Sequence, residues 1–174
     1  MKKRVRHLSD QEALQLHEEA LVIDSKQPPA TSGFLFTERM KLDMLDMDKA
    51  GYTRAQASNQ LAKIAAEEIR NSESAREQYL SLWHRSGVSV ASGTYSAGIE
   101  IEKAFDSATE GIAQARCYID ALQGELQLIL KAEDIETVFN SGKHGLILDF
   151  QDTLPFGTDL SKIDYFYNLG LRVV

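Results

Sequence analysis

Asp24, Asp149, Gln151 and Asp152 are the residues whose types and positions could do chemistry. Asp24 closes the apolar run Leu21-Val22-Ile23, and Asp149 stands near the end of Gly145-Leu146-Ile147-Leu148-Asp149-Phe150. Residues that follow strands lie in the loops that carry function in α/β folds. Asp24, Gln151 and Asp152 are therefore candidates for substrate contact, offering two carboxylates and an amide to a polar ligand. Ser92-Gly93-Thr94-Tyr95-Ser96 also follows a strand-like run. It could touch a ligand, though a plain turn is the simpler reading. No Gly-x-Gly-x-x-Gly follows a strand, so a dinucleotide-binding fingerprint is absent.

Other reactive side chains are less promising, and no catalytic residue can be assigned. Cys117, the single cysteine, rules out an internal disulfide and fits a reducing compartment. It stands mid-helix beside Arg116 with no placed histidine, as a packed thiol rather than a nucleophile. His7, His17, His84 and His144 read as surface or capping residues.

The elements that must position these groups alternate between helix and strand. Ser9 with Glu12 forms a capping-box pattern, predicting a helix over 10–20 that buries Leu14, with Leu16 a second candidate. Met40, Met44 and Met47 share one face of a second helix, read as core packing rather than an adaptable binding stripe. Thr53 caps a third helix that buries Leu61, Ile64, Ala65 and Ile69. A fourth carries Tyr79, Leu80 and Trp83 and stops at Gly87. Val88–Ser92 alternates with the period of a strand, and a long helix over 101–122 follows. The run 126–130 is ambiguous between strand and helix. The segment 132–141 is helical, and 145–149 is a strand. Thr158 caps a helix presenting Leu160, Ile163, Phe166 and Leu169, and 171–174 begins another strand. This order predicts an α/β fold with parallel strands. The expected organisation is one domain over 1–174, with a helical region at 1–86 and βα units at 87–174.

Composition narrows the function classes. Nineteen basic against 26 acidic residues give a net charge of −7 over 174 residues, which argues against a nucleic-acid partner. Hydrophobic residues at 43% are ordinary for a globular domain, and no run is long enough to span a membrane. The basic start, Met1 to Arg6, is followed by polar residues rather than the apolar segment of a signal peptide, so a solvated terminus and a cytoplasmic location are expected. Val174 falls inside an apolar strand. The expectation is a front portion of a longer protein, the alternative a central strand in an open sheet.

The run Lys143-His144-Gly145-Leu146-Ile147-Leu148-Asp149-Phe150-Gln151-Asp152-Thr153, continuing through Asp159-Leu160 to Phe166-Tyr167-Asn168-Leu169-Gly170-Leu171-Arg172-Val173-Val174, resembles a segment of the membrane dipeptidase (renal dipeptidase-like) family. Leu21-Val22-Ile23-Asp24 resembles that family's opening strand. The resemblance implies the first half of a (β/α)₈ barrel of the TIM type. It also implies a metal-dependent hydrolase that cleaves dipeptides or small amides. Two divalent ions, of zinc type, would activate a water, with ligands at the carboxyl ends of strands. The family's bridging glutamate aligns with Asp149, which makes Asp149 the candidate metal ligand; otherwise it caps its loop or pairs with a cation.

The sequence departs from the family where its first strand is followed by His-x-Asp. Lys26 and Pro28 occupy those two places, and neither can ligate a metal. His144 would sit at the opposite, stability-bearing end of the barrel. The expected protein is a dipeptidase-like hydrolase present here as an amino-terminal portion. Its rivals are a non-catalytic barrel that binds a small ligand or partner, and a stand-alone interaction module. The expected partner is a small dipeptide or amide, with neither nucleic acid nor membrane span and with self-association allowed.

Overall fold

The computed structural model describes residues 7–25, 35–95, 101–122 and 124–174. Lys26 and Pro28 lie outside them. Five strands form one parallel sheet: β1 (Ile23–Asp24), β2 (Val90–Thr94), β3 (Leu126–Leu128), β4 (His144–Asp149) and β5 (Leu171–Val173). β1 pairs with β2, and β2 pairs with β4 along its whole length, from Val90 opposite Gly145 to Thr94 opposite Asp149. The other margin of β4 is shared. β3 pairs with its first half and β5 with its second. All pairings are parallel, as the alternation of helix and strand requires.

The described residues form seven α-helices around these strands: α1 (Asp10–Glu19), α2 (Glu38–Lys49), α3 (Arg54–Asn71), α4 (Glu73–Ser86), α5 (Ala104–Ala121), α6 (Ala132–Asn140) and α7 (Ser161–Leu169). Ser9 and Glu12 form the expected capping box, and Thr53 caps α3 as expected, its partner Gln56 completing a second box. α4 stops at Gly87, whose φ of 65° is left-handed. A Cβ there would also lie 2.3 Å from the His17 ring, so only glycine lets α1 approach. His17 Nε2–H donates to the Ser86 carbonyl at 3.0 Å.

The two faces of the sheet are covered differently. Ala91, Leu146, Leu148 and Phe150 face the main core, packed with Ile64, Ile69, Tyr79, Trp83, Ile112 and Tyr118 from α3, α4 and α5. On the opposite face Val90, Ile129 and Val138 form a second cluster with Ile135 and Ile147. It sits at the amino ends of β2 and β4. Gly145 permits it, since a Cβ would meet Ile129 Cδ1 at 2.8 Å and Val90 Cγ2 at 2.9 Å.

Several expectations are corrected. Leu14 and Leu16 are 57% and 59% exposed, and α1 buries no residue. In α2, Met40 and Met47 are buried but Met44 is exposed. In α7 only Phe166 is buried, with Leu160 and Ile163 in solvent. Leu160, not Thr158, is the N-cap of that helix, and Asp159 before it accepts hydrogen bonds from the Ser161 backbone at 3.0 Å and its hydroxyl at 2.7 Å.

His144 is also neither a surface nor a capping residue. It is buried against Trp83, with ring centroids 4.8 Å apart. Its Nδ1–H donates to the Val88 carbonyl at 3.0 Å, which leaves Nε2 to accept from His84 Nδ1–H at 3.3 Å. Burial holds the imidazole below its ordinary value, and His84 acts in the same direction; the Val88 carbonyl and Glu125 oppose both. The folded state therefore binds a proton less readily than the unfolded chain. Its contribution to stability is complete above the ordinary histidine range and is lost as pH falls through it. Unfolding free energies from urea titrations between pH 8 and pH 5 are expected to fall, by at most about 1.4 kcal/mol per pH unit for this one proton. His144→Asn should flatten that slope. An unchanged slope would assign it to other groups.

Candidate functional site

The carboxyl ends of β2 and β4 bring together Ser92, Thr94, Tyr95 and Asp149. Thr94 and Asp149 are register partners, and Ser92 precedes Thr94 by one pleat on the same face. The Ser92 hydroxyl donates a hydrogen bond to Asp149 Oδ2. Ser92 is 4% exposed and Asp149 is fully buried. The other carboxylate oxygen, Oδ1, has no hydrogen-bond partner among the described residues. The backbone around it is fixed on both sides: Tyr95 N–H donates to the Asp149 carbonyl at 2.9 Å, and Phe150 N–H to Val173 at 3.0 Å.

A buried carboxylate with one hydroxyl donor is under-compensated. Removing an ion from water costs several kcal/mol even after relaxation, and one hydrogen bond to a charged group returns only about 1.5–3 kcal/mol. Orphaned groups of this kind concentrate where a ligand or ion completes the site. The second face of the sheet is apolar at its amino end and polar at its carboxyl end. In a closed barrel this is the distribution of a plugged floor below an active mouth.

Tyr95 lies on the other side of the strand. Its ring covers Gly93, where a Cβ would stand 2.9 Å from the phenol oxygen, and its backbone crosses α5 at Gly111, where a Cβ would meet the Tyr95 carbonyl at 2.6 Å. The phenol is buried and has no hydrogen-bond partner among the described residues. Burial, with Tyr79, Tyr118 and Asp149 nearby, holds it well above its ordinary value, so it stays neutral.

The remaining candidates are placed apart from Asp149. Asp24 is the register partner of Ala91, three residues short of Thr94, which is about 10 Å along the strand. Its pairing puts it on the face of Ala91 rather than that of Asp149. Asp152 is half-buried, and its Oδ1 accepts the Leu154 N–H at 2.9 Å, closing the turn 154–156. Gln151 is exposed at the start of the same loop. His144 lies at the other end of β4, about 16 Å away. Cys117 donates its thiol to the Ala66 carbonyl at 3.4 Å, as a packed thiol would.

Among the described residues no three His, Cys, Asp or Glu side chains converge closely enough to hold a metal ion. Asp149 Oδ1 has the chemistry of one ligand, but the described residues do not supply a complete centre. The sequence pointed to the segment containing Ser92 but not to its bond with Asp149. That bond depends on which strand lies beside which, and the two residues are 57 positions apart.

No family model and no curated relative matches the sequence. Solved structures do match by fold. An amidohydrolase from Pseudomonas aeruginosa is 17% identical with a TM-score of 0.52, over 92% of this chain and 35% of its own. The probable dipeptidase PvdM from the same organism is 16% identical with a TM-score of 0.59, over 93% and 36%. The metallopeptidase dipeptidase AC is 12% identical with a TM-score of 0.58, over 89% and 42%. The chain thus spans little more than a third of these structures and has the fold of a partial TIM-type barrel. Two of the three are dipeptidases, the group the sequence resemblance names.

Proposed function

We propose that this chain is the opening portion of a metal-dependent hydrolase barrel acting on dipeptides or small amides. The carrying observation is Asp149. It is a fully buried carboxylate at the carboxyl end of a parallel strand, with one oxygen held by Ser92 and the other without a partner. The sequence resemblance at 143–174 and the fold likeness to an amidohydrolase and two dipeptidases support the same reading. In it, Asp149 Oδ1 ligates one divalent ion of zinc type, and the other ligands lie outside the described residues. When bound, the ion would supply an activated water and polarise the scissile carbonyl. Ser92 holds the carboxylate in place. Asp24, Gln151 and Asp152 are proposed as substrate contacts. A cytoplasmic location is part of the reading; among the described residues no helix is long and apolar enough to cross a membrane.

Lys26 and Pro28 favour a second reading, a barrel relative that binds a small ligand or partner without catalysis. Protein isolated from its native cells distinguishes the two. Metal analysis and hydrolysis of a dipeptide panel should show at least one divalent ion per chain, with activity lost to a chelator and restored by zinc. Ligand binding without hydrolysis would select the non-catalytic reading. Absence of both metal and hydrolysis would overturn the proposal.

A further inference from the structure

A groove of about 410 Å³ opens in the outer helical layer, where the end of α3 meets α5. It lies toward the amino ends of the strands, since α5 runs back from the carboxyl end of β2 to the start of β3. Arg70, Arg76 and Arg116 line it together with Cys117, Asp120, Ala113 and Ala121. Arg76 Nη1 donates to the Ile69 carbonyl at 3.0 Å and the Arg70 carbonyl at 3.2 Å. Arg116 Nη2 donates to the Leu169 carbonyl at 2.8 Å. Each contact fixes a guanidinium through one nitrogen and leaves the remaining N–H groups for a ligand. The Arg70 guanidinium makes no hydrogen bond or ion pair among the described residues; it is the Arg70 carbonyl that Arg76 engages.

Charge makes this cluster unusual. The chain has 26 acidic residues against 19 basic ones, so cations should find carboxylates easily. The ion pairs between described residues are formed by Arg39, Lys41, Lys49 and Lys63. Among the described residues none of the three groove arginines forms such an ion pair, although Asp120 is in the same groove. Three guanidinium charges less one carboxylate leave a local charge of about +2, and arginine forks fit the oxygens of a phosphate group. The thiol of Cys117 is raised by burial, against the pull of Arg70, and stays neutral. The volume exceeds that of one phosphate and falls within the range of small-molecule sites.

We propose that this groove binds a phosphate monoester dianion, with Arg70, Arg76 and Arg116 holding the phosphate and the organic part lying over Ala113 and Ala121. The site is separate from Asp149 and does not depend on the hydrolase reading. Phenyl phosphate titrated into the full chain at pH 7.5, followed by amide NMR shifts, should bind saturably with changes centred on 113–121. Because the Arg70 side chain is exposed and holds no hydrogen bond of its own among the described residues, Arg70→Gln should keep the fold and weaken binding at least about tenfold. Raising the salt should weaken binding further. Linear, unsaturable shifts, or the same affinity in the variant, would overturn the proposal. Phenylacetate binding as tightly would overturn the phosphate assignment, and a phosphoserine peptide binding far more tightly would overturn the small-molecule one.

Discussion

Asp149→Asn makes the chain more resistant to urea, by about 1–3 kcal/mol. The asparagine keeps an oxygen for the Ser92 hydroxyl and replaces a buried charge by a neutral amide. The wild-type carboxylate is fully buried with a single hydroxyl donor, so removing its charge relieves more desolvation than it loses in attraction. Ser92→Ala acts in the opposite direction. Loss of a hydrogen bond to a charged group costs about 1.5–3 kcal/mol. In the Asp149→Asn background the same serine change should cost less, because its partner is then neutral, and a double-mutant cycle measures the difference. If both single variants destabilise the chain by similar amounts, Asp149 is an ordinary structural carboxylate.

The hydrolase reading adds a condition to this series. A ligand that binds only the folded state stabilises it in proportion to the logarithm of its concentration. Where the ligands proposed outside the described residues are present, zinc should raise the wild-type midpoint and leave that of Asp149→Asn unchanged, which reverses the order of the two proteins. A residue that lowers stability alone and raises it with an ion is retained for the ion. Equal response of both proteins would place zinc elsewhere.

Local chemistry was largely readable from the sequence. Ser9 with Glu12 names its own hydrogen bonds, Thr53 marks a helix start, and Gly87 marks a left-handed stop. β4 was plain because it is buried on both faces and therefore continuously apolar. What periodicity cannot tell is which apolar stripe has a neighbour. Leu14, Leu160 and Ile163 repeat at helical spacing yet remain exposed, whereas Phe166 in the same helix as Ile163 is fully covered. Pairing across distance is equally silent. β2 was expected at 88–92 and lies at 90–94, because the ladder with β4 begins only where Val90 meets Gly145. Val88 serves instead as the acceptor for the His144 ring. His144 was misread for the same reason: its partners, Trp83 and His84, are on a helix some 60 residues earlier.

Phe166→Ala is expected to cost about 3–5 kcal/mol, the range for a fully buried aromatic ring. Phe166 is the hub of an aromatic cluster, with ring centroids 4.8 Å from Phe150, 5.4 Å from Phe105 and 5.9 Å from Phe156. It joins the starts of α5 and the loop after β4 to α7. Tyr165, its neighbour on the helix, is 42% exposed, and Tyr165→Ala should cost much less. Equal losses in the two variants would show that α7 does not dock through Phe166. The position of the cluster connects stability to the site. Phe150 follows Asp149 directly, and its N–H bonds Val173 on β5. A cavity at 166 would therefore loosen Phe150, the loop carrying Gln151 and Asp152, and the backbone that holds the orphan carboxylate. Phe166→Leu fills most of that volume and should restore most of the stability. Amide exchange should separate the effects: protection in 148–156 falls in Phe166→Ala, while that of the His144 end of β4, held by β3 and Trp83, changes little.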